Sequence, residues 1–353
     1  MHSRGLPQML RILDANLNRI SEGLRVLEDL SRFTLNDRDL SEQLKDLRHE
    51  LLPKDRVIQE KLLAARKADT DVGAFLDVDS EGERLDVTSL VSANSRRVEQ
   101  SLRVIEEVTK VPGQEFGFDW SEFKRARFSV YELEQRMMQQ LARRDKKERL
   151  KGLYLILDTQ ALGGRNIIET AQQALEGGTR TIQLRDKVRP KSDLITLAEE
   201  LKKLCAKYNA LFIINDHLDV ALASDADGLH VGQEDLPLSA ARRLLPADRL
   251  VGCSASTLDE AVIAEAQGAD YVGVGSIYPS PSKPGTRLAG LEILRRVKDR
   301  VAVPIVAIGG INEDNVAEVI DAGAAAVAVI SAVLGTDNVK ESSRRLVDII
   351  GGE

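Results

Sequence analysis

Residues 212–235, FIINDHLDVALASDADGLHVGQED, contain two short apolar runs that each break off into polar residues. The first run ends at Asn215-Asp216-His217, and the second ends at Gln233-Glu234-Asp235. Continuous apolar runs separated by a helical pattern are typical of parallel strands that are covered on both faces. We therefore expect two neighbouring strands that bring Asp216 and Asp235 to the same edge of one sheet.

The same alternation continues on both sides of this stretch, from about residue 151 to the end of the chain. Eight strand–helix units in about 200 residues predict an α/β fold, a (β/α)8 TIM barrel near the short end of its size range. An open, doubly wound sheet is the alternative. The predicted strands are residues 152–158, 181–185, 211–216, 228–232, 250–255, 271–276, 304–310 and 326–331.

Residues 1–148 have a different pattern, rich in Leu, Arg and Glu and without β-branched runs. DANLNRISEGLRVLEDLSRF (14–33) aligns with SANSRRVEQSLRVIEEVTKV (92–111) at a constant offset of 78, which indicates an internal duplication. The stretch 121–150 reads as one long helix. We predict an all-α domain at 1–148 that contains the repeat and a barrel domain at 149–353.

Composition excludes several classes of function. The formal net charge of -7 argues against a nucleic-acid partner, because a phosphate backbone needs a basic face. Cys205 and Cys253 make no disulfide framework. The stretch MHSRGLPQML lacks the apolar core of a secretory signal, and no apolar run reaches the roughly 18 residues of a membrane helix. We expect a cytoplasmic protein without a membrane partner.

The second predicted strand ends in polar residues that suit a diphosphate. Strand alternation puts Gln183, Arg185 and Lys187 on one face, because successive side chains point to opposite sides. Two cations and an amide donor at the carboxyl end of a barrel strand lie where such barrels place their active sites. This combination suits a phosphate or diphosphate.

Two carboxylates at one sheet edge suggest a metal. Asp216 and Asp235 would repel one another unless a positive charge lies between them. Mg²⁺ prefers oxygen ligands and typically binds one or two carboxylates together with substrate phosphate oxygens. Each aspartate also has a simpler interpretation, as the N-cap of the next helix along the chain.

The later strands end in residues that suit a second anion. Strand 5 ends at Ser254, and the loop after strand 6 offers Ser280, Ser282 and Lys283. In these barrels the loops after strands 7 and 8 often present backbone N–H groups to a phosphate, and here they contain Gly309-Gly310 and Ile330-Ser331. Two anion sites at one barrel mouth imply two phosphorylated substrates and a transfer between them.

Other reactive residue types have simpler interpretations. His217 and His230 are expected to be packing or surface residues, and Cys253 is expected to be a small buried side chain. No Ser–His–Asp or Cys–His set is convincing, so the sequence does not predict a protein nucleophile.

The motifs QLRDK, NDHLDVALASDADGLHVGQED, GCSAST, GADYVGVGSIYPSPSKPG, PIVAIGGI and AVISA, in this order, closely resemble the thiamine-phosphate synthase family. The resemblance covers residues 151–350. It implies a (β/α)8 barrel that joins 4-amino-5-hydroxymethyl-2-methylpyrimidine diphosphate to a thiazole phosphate, which is carboxylated or not, and releases diphosphate with Mg²⁺.

The resemblance also implies roles for individual residues. Asp216 and Asp235 would bind Mg²⁺, and Arg185, Ser254 and Lys283 would be catalytic. The substrate-binding set would be Gln183, Leu184, Arg185, Asp186, Lys187, Asn215, Ser254, Ser280, Pro281, Ser282, Lys283, Gly309, Gly310, Ile330 and Ser331. The family often has Thr where Ser280 and Ser282 stand and His where Ser256 stands, which puts any role of the Ser256 side chain in doubt.

The implied mechanism is dissociative, with Lys283 and Mg²⁺ stabilising the diphosphate that leaves before the thiazole nitrogen attacks. A thiazole tautomerase on the same scaffold would not need the carboxylate pair or Lys283. A phosphate-sensing module without catalysis is a third alternative.

The repeated A-N-x-x-R…L-R-V-x-E pattern resembles the helical domain sometimes fused ahead of thiamine-phosphate synthases. That domain is proposed to be an alternative hydroxymethylpyrimidine-phosphate kinase. The chain has no GxxxxGK[ST] phosphate loop, and the alternative is a module for homo-oligomer assembly held by ion pairs. The candidate residues are Asn16, Arg19, Arg25, Glu28, Asn94, Arg97, Arg103 and Glu106.

Overall fold

A computed structural model describes residues 6–66, 85–111, 116, 118–279 and 287–352. The chain divides into two compact units, Met1–Leu141 and Ala142–Glu353. The predicted domain boundary, between residues 148 and 149, falls at the end of the long helix in which this division also lies. Among the described residues, no helix is long and apolar enough to cross a membrane.

The described part of the first unit is helical. Asp37, Asp55 and Asp86 begin three of its helices as N-caps, because each carboxylate accepts a backbone N–H from the first turn. The helices are α1 (Leu6–Phe33), α2 (Arg38–Leu51), α3 (Arg56–Ala65), α4 (Val87–Thr109) and α5 (Trp120–Arg149), of which the last continues into the second unit.

The two copies of the sequence repeat form α1 and α4, which pack closely against each other. A Cβ added to Gly23 would lie 2.6 Å from Val98 Cγ2, so the absence of a side chain allows this approach. Leu24 and Leu102, which occupy equivalent positions in the repeat, are both fully buried in the helical core.

The duplication extends further than the sequence comparison indicated. Glu28 of α1 is bonded to Arg48 of α2, and Glu106 of α4 is bonded to Arg127 of α5, so each copy holds the same ion pair between two helices. The buried apolar residues of α2 and α5, together with the two half-buried arginines, then align at an offset of 79. The aligned pairs are Leu44 with Phe123, Leu47 with Ala126, Arg48 with Arg127 and Leu51 with Val130.

The second unit contains a closed parallel barrel of eight strands in sequence order. The predicted (β/α)8 barrel is therefore confirmed, and the alternative of an open, doubly wound sheet is wrong. The strands are β1 (Gly152–Asp158), β2 (Thr181–Arg185), β3 (Leu211–Asn215), β4 (Gly228–Val231), β5 (Leu250–Ala255), β6 (Tyr271–Gly275), β7 (Ile305–Ile308) and β8 (Ala326–Val329).

Helices alternate with the strands and cover the outside of the barrel. They are α6 (Ile167–Glu176), α7 (Lys191–Lys207), α8 (Leu218–Ala223), α9 (Leu238–Leu244), α10 (Leu258–Ala266), α11 (Gly290–Lys298), α12 (Val316–Asp321), α13 (Ser331–Leu334) and α14 (Val339–Gly351).

Strand alternation divides the barrel residues into two layers. Residues such as Leu155 and Leu184 point outward and pack against the helices in the larger core. Tyr154, Ile213 and Tyr271 belong to a separate cluster that fills the interior of the barrel. This inner layer closes the barrel, and the polar ends of the strands lie beyond it.

Candidate functional site

A cavity of about 520 Å³ opens at the carboxyl ends of the strands. Residues from all eight strands line it, which is the geometry expected when one barrel mouth forms a single site. Most of the residues predicted from the sequence come together here. They are Gln183, Arg185, Lys187, Asn215, Asp235, Ser254, Gly309, Gly310, Ile330 and Ser331.

Two further predicted residues, Leu184 and Asp186, do not line the described cavity. Leu184 lies in the core between strand and helices, and Asp186 is buried, where it accepts the N–H groups of Val188 and Arg189 at 2.9 Å each. Asp186 shapes the turn after β2, and Leu184 points away from the cavity, as strand alternation requires. Ser280, Pro281, Ser282 and Lys283 lie outside the described residues.

Arg185 is held in place by a carboxylate at the end of the neighbouring strand. Asp158, the last residue of β1, is ion-paired with Arg185 and also accepts the N–H groups of Gln160 and Ala161 at 3.0 and 3.2 Å. Sequence reasoning did not single out Asp158. Its signal was available, because Asp158 ends an apolar run in the same way as Asn215 and Asp216 do.

Asp216 and Asp235 come together beside the cavity, next to a lysine. Lys187 Nζ lies 3.7 Å from Asp216 Oδ2. Burial, followed by the hydrogen bond with Asp235, raises the pKa of Asp216 above its ordinary value. Burial acts in the same direction on Asp235, but the hydrogen bond with Asp216 and the Gly232 N–H outweigh it and hold the pKa of Asp235 below its ordinary value.

The opposite pKa directions mean that the two carboxyl groups interact and that Asp235 gives up its proton more readily than Asp216. Among the described residues, no group of three or more His, Cys, Asp or Glu side chains forms a metal cage. Two carboxylates beside a cavity for an anion suit a hard divalent cation that takes its other ligands from substrate and water.

The helix-cap interpretations of the two aspartates are wrong. The N-caps of α8 and α9 are His217 and Pro237, and neither cap has a side-chain hydrogen bond. Asp216 adopts a left-handed backbone conformation, with φ 62°, at the exit from β3. Asp235 turns back so that its Oδ2 accepts the Gly232 N–H at 2.9 Å.

His230 lines the cavity, a placement that the sequence interpretation missed. Its Nδ1 lies 3.1 Å from Tyr271 Oη, and its Nε2 lies 3.0 Å from Ser254 Oγ. The neighbouring Cys253 is buried, and burial raises the pKa of its thiol to about 11, which fits the expected unreactive side chain.

The loops after β7 and β8 contribute backbone and small side chains. Gly309 and Gly310 have φ angles of 105° and 64°. A Cβ on Gly310 would lie 2.6 Å from Pro279 O, and a Cβ on Gly309 would lie 2.8 Å from Ser276 Cα. Only glycine fits at both positions, so the backbone itself can line the cavity here.

The candidate residues of the helical unit occupy matched positions in the two repeats. Asn16 and Asn94 are buried, and each side chain donates to the backbone carbonyl four residues earlier. The exposed Arg25 and Arg103 pair with Glu28 at 3.4 Å and with Glu106 at 3.0 Å. Arg19 and Arg97 are also exposed.

Two glutamates of α4 have opposite electrostatic surroundings. Burial and the Glu134 carboxylate raise the pKa of Glu99 to about 7, although Arg96 and Arg127 act against them. Lys110, Arg103 and Arg127 lower the pKa of Glu106 to about 2, against the effect of burial.

Two protein families match the chain, one in each of its two compact units. Residues 153–333 match the family described as thiamine monophosphate synthase, and residues 11–136 match the ThiD2 family.

Similar proteins extend over nearly the whole chain. The thiamine-phosphate synthase of Synechocystis sp. is 42% identical over 338 residues, which cover 96% of this chain and 95% of that protein. The thiamine-phosphate synthase of Thermosynechococcus vestitus is 40% identical over 341 residues, which cover 96% and 94%.

A solved structure matches the barrel. The thiamine phosphate pyrophosphorylase from Pyrococcus furiosus aligns with a TM-score of 0.54 and 40% identity, covering 59% of this chain and 98% of that one. The activity predicted from the strand-end motifs is confirmed by these matches. The chain belongs to the thiamine-phosphate synthase family and carries a ThiD2-type helical region ahead of its barrel.

Proposed function

We propose that the barrel cavity joins an aminopyrimidine diphosphate to a thiazole phosphate and so forms thiamine phosphate and diphosphate. The observation that carries this proposal is that one cavity has two chemically different sides. The β2–β4 side holds Arg185, Lys187 and the aspartate pair, whereas the β7–β8 side is formed by Gly309-Gly310 and the residues around Ser331.

Asp216 and Asp235 would hold Mg²⁺. The fit rests on the donor set, because two carboxyl groups in hydrogen-bonding contact supply the oxygen ligands that Mg²⁺ prefers. When bound, the ion would neutralise charge on the diphosphate.

The chain's own residues would position the reactants and stabilise the leaving group. Arg185, fixed by Asp158, and Lys187 would bind diphosphate oxygens. The bond between the pyrimidine methylene carbon and the diphosphate oxygen breaks, and its electron pair leaves with the diphosphate. The thiazole nitrogen lone pair then forms the new carbon–nitrogen bond, so no protein nucleophile is required.

Gln183, Asn215 and Ser254 would contact the pyrimidine ring, and the backbone at Gly309-Gly310 and Ile330-Ser331 would hold the thiazole phosphate. The roles of Lys283 and of Ser280 to Ser282 stay predictions from the sequence. A cytoplasmic location and homo-oligomer formation also stay predictions.

The helical unit would supply the substrate of the barrel by phosphorylating hydroxymethylpyrimidine phosphate with ATP. The support is the ThiD2 match over residues 11–136 together with polar residues repeated at matched positions. An assembly role without catalysis is the competing proposal, because the ion pairs of Glu28 and Glu106 join helices within the chain and so give the repeated charged residues a purely structural use.

The test uses the full chain with thiazole phosphate and Mg²⁺ and measures the formation of thiamine phosphate. One reaction receives the pyrimidine diphosphate, and a second receives the pyrimidine monophosphate with ATP. Product in the first reaction that is lost in Asp216→Ala supports the barrel assignment. Asp219→Ala is the matched control, because this exposed aspartate pairs with Lys191 and does not line the cavity.

Product in the second reaction would support the kinase. A first reaction without product would overturn the synthase proposal for the barrel, and a second reaction without product would favour the assembly role of the helical unit.

A further inference from the structure

Five side chains from five strands form one continuous hydrogen-bonded chain through the barrel interior. Gln183 Nε2 donates to Tyr154 Oη at 2.7 Å, and Tyr154 Oη lies 3.2 Å from Tyr271 Oη. Tyr271 Oη lies 3.1 Å from His230 Nδ1, and His230 Nε2 lies 3.0 Å from Ser254 Oγ. We call this set, Gln183–Tyr154–Tyr271–His230–Ser254, the relay.

The relay occupies space that the backbone leaves open for it. A Cβ on Gly252 would overlap the Tyr271 ring, and a Cβ on Gly273 would lie 3.0 Å from His230 Cε1. Tyr271 is fully buried, and both Tyr154 and Gln183 are 2% exposed. Polar groups buried to this degree persist only when their hydrogen bonds are satisfied, which the relay achieves.

Both ends of the relay reach the cavity. Gln183 and Ser254 line it on β2 and β5, and Tyr154 and His230 also line it, whereas Tyr271, at the centre, is not among the lining residues. The two ends therefore face the same cavity from different strands, and the fully buried Tyr271 links the two halves of the relay beneath the lining.

Hydrogen-bond direction connects the two ends. If Gln183 donates to Tyr154, each successive hydroxyl can donate onward, His230 carries its proton on Nε2, and the Ser254 hydroxyl is left to donate into the cavity. If the direction reverses, the Gln183 amide turns over so that its Oε1 accepts from Tyr154 Oη and its Nε2 becomes available, while Ser254 donates to His230 and presents lone pairs to the cavity. The donor or acceptor character of one end thus sets that of the other.

We propose that the relay is a positioning device that makes Gln183 and Ser254 act as one recognition unit for the donor and acceptor edges of an amino-substituted heteroaromatic ring. This inference rests on the proposed function, which supplies such a ring as the aminopyrimidine. Tyr271, which does not line the cavity, is a positioning residue that acts through the two ends, and Tyr154 and His230 connect it to them.

Burial supports a neutral relay. It raises the pKa of Tyr154 and of Tyr271 well above the ordinary value, so both hydroxyls keep their protons and can be donor and acceptor at once.

The test is a double-mutant cycle between Gln183→Leu and Ser254→Ala, performed in the unmodified chain and again in Tyr271→Phe. The measured quantity is kcat/KM for the pyrimidine diphosphate at saturating thiazole phosphate. In the unmodified chain we expect the two changes to be coupled by about fivefold, within the range for residues in one network. In Tyr271→Phe the coupling should fall below about twofold while the KM for thiazole phosphate stays unchanged.

Equal coupling in both backgrounds would overturn the proposal. Tyr208→Phe is the control for loss of one hydroxyl outside the relay, because Tyr208 lies at the end of α7. If Tyr271→Phe does not fold, Tyr154→Phe breaks the same chain at another link and must give the same loss of coupling. Failure of the proposed function is distinguishable, because the unmodified chain would then form no thiamine phosphate.

Discussion

The two sides of the barrel cavity contrast in how they handle negative charge. The β2–β4 side carries Arg185, Lys187 and Asp235, with Asp216 beside them. The described lining residues on the β7–β8 side include no charged side chain. Among them are Gly309, Gly310 and Ser331. Charged side chains suit a diphosphate with a divalent cation, whereas a single phosphate can be held by backbone N–H groups alone.

Because of this difference, we expect the binding of the two substrates to depend on different kinds of residue. Recognition by charged side chains is lost when a charge is removed, and recognition by the backbone is lost when a Cβ fills the space. Variants on the two sides should therefore change the kinetic constants of different substrates.

The largest effect is expected for Asp235→Asn. Removing one of two carboxylates that hold a cation should lower kcat/KM for the pyrimidine diphosphate by about 10²–10³-fold, the range for loss of one preorganised electrostatic contact. The measurement is steady-state kinetics with Mg²⁺ varied, and the variant should need more Mg²⁺ than the unmodified chain. A loss of less than about tenfold would count against the metal site.

The second effect tests the uncharged side with Gly310→Ala. The new Cβ would meet Pro279 O at 2.6 Å at a backbone φ of 64°, so the loop must shift. We expect the dissociation constant of thiazole phosphate, measured by titration calorimetry, to rise by about tenfold, which corresponds to about 1.4 kcal/mol.

Gly163→Ala is the matched control for this change. Gly163 has a φ of 60°, but no atom lies within 4 Å of its added Cβ. This variant should carry the same backbone strain and leave the binding of thiazole phosphate within twofold of the unmodified chain (about 0.4 kcal/mol). Equal weakening in both variants would show that strain alone explains the result.

A third prediction concerns Glu106 in the helical unit. Cations surround this carboxylate and offset its charge, as Lys187 does near Asp235. The lowered pKa of Glu106, about 2, means that its ion pairs stabilise the folded unit above the ordinary carboxyl pKa and are lost as the pH falls towards 2. Glu106→Gln should lower the melting temperature of the chain at pH 7, and the difference should shrink below pH 4.

The smallest effect is expected for Glu99→Gln. The negative charge of Glu99 is only partly offset by Arg96 and Arg127, unlike that of Glu106. The raised pKa of Glu99, about 7, means that its protonated form fits the fold, so the contribution of Glu99 to stability is fully present below the ordinary carboxyl pKa and is lost as the pH rises towards 7. Solvent screening reduces the size of this effect, because the side chain is partly exposed. Glu99→Gln should raise the melting temperature at pH 8 and leave it unchanged at pH 4.

These opposite pH dependences can be measured in one series of thermal scans. A Glu99→Gln variant that is less stable than the unmodified chain at pH 8 would contradict the inference that the charged form of Glu99 destabilises the fold.

Much of the barrel could be predicted, because apolar runs indicate the strands and the polar residues at the ends of these runs indicate the site. Eight apolar runs predicted the eight strands, and the polar and glycine residues at the carboxyl ends of these runs included Arg185, Asp235 and Gly310. The relay could not be found in this way. Tyr271 and His230 look like interior residues of their strands, and only the register of the closed barrel brings their polar atoms together.

The helical unit shows the same limit. The repeat in α1 and α4 can be identified from identical residues in the sequence. Its extension to α2 and α5 rests on apolar residues of different size, such as Leu44 and Phe123. The ion pairs Glu28–Arg48 and Glu106–Arg127 reveal the equivalence, because they join residues on different helices.

The most direct test of the account is the steady-state rate of thiamine phosphate formation by Asp235→Asn and Gly310→Ala, with each substrate varied in turn at saturating levels of the other. We expect a crossed pattern, in which Asp235→Asn impairs use of the pyrimidine diphosphate alone and Gly310→Ala raises the KM of thiazole phosphate alone. If both variants changed the constants of the same substrate, the division of the cavity into a charged side and a backbone side would be contradicted.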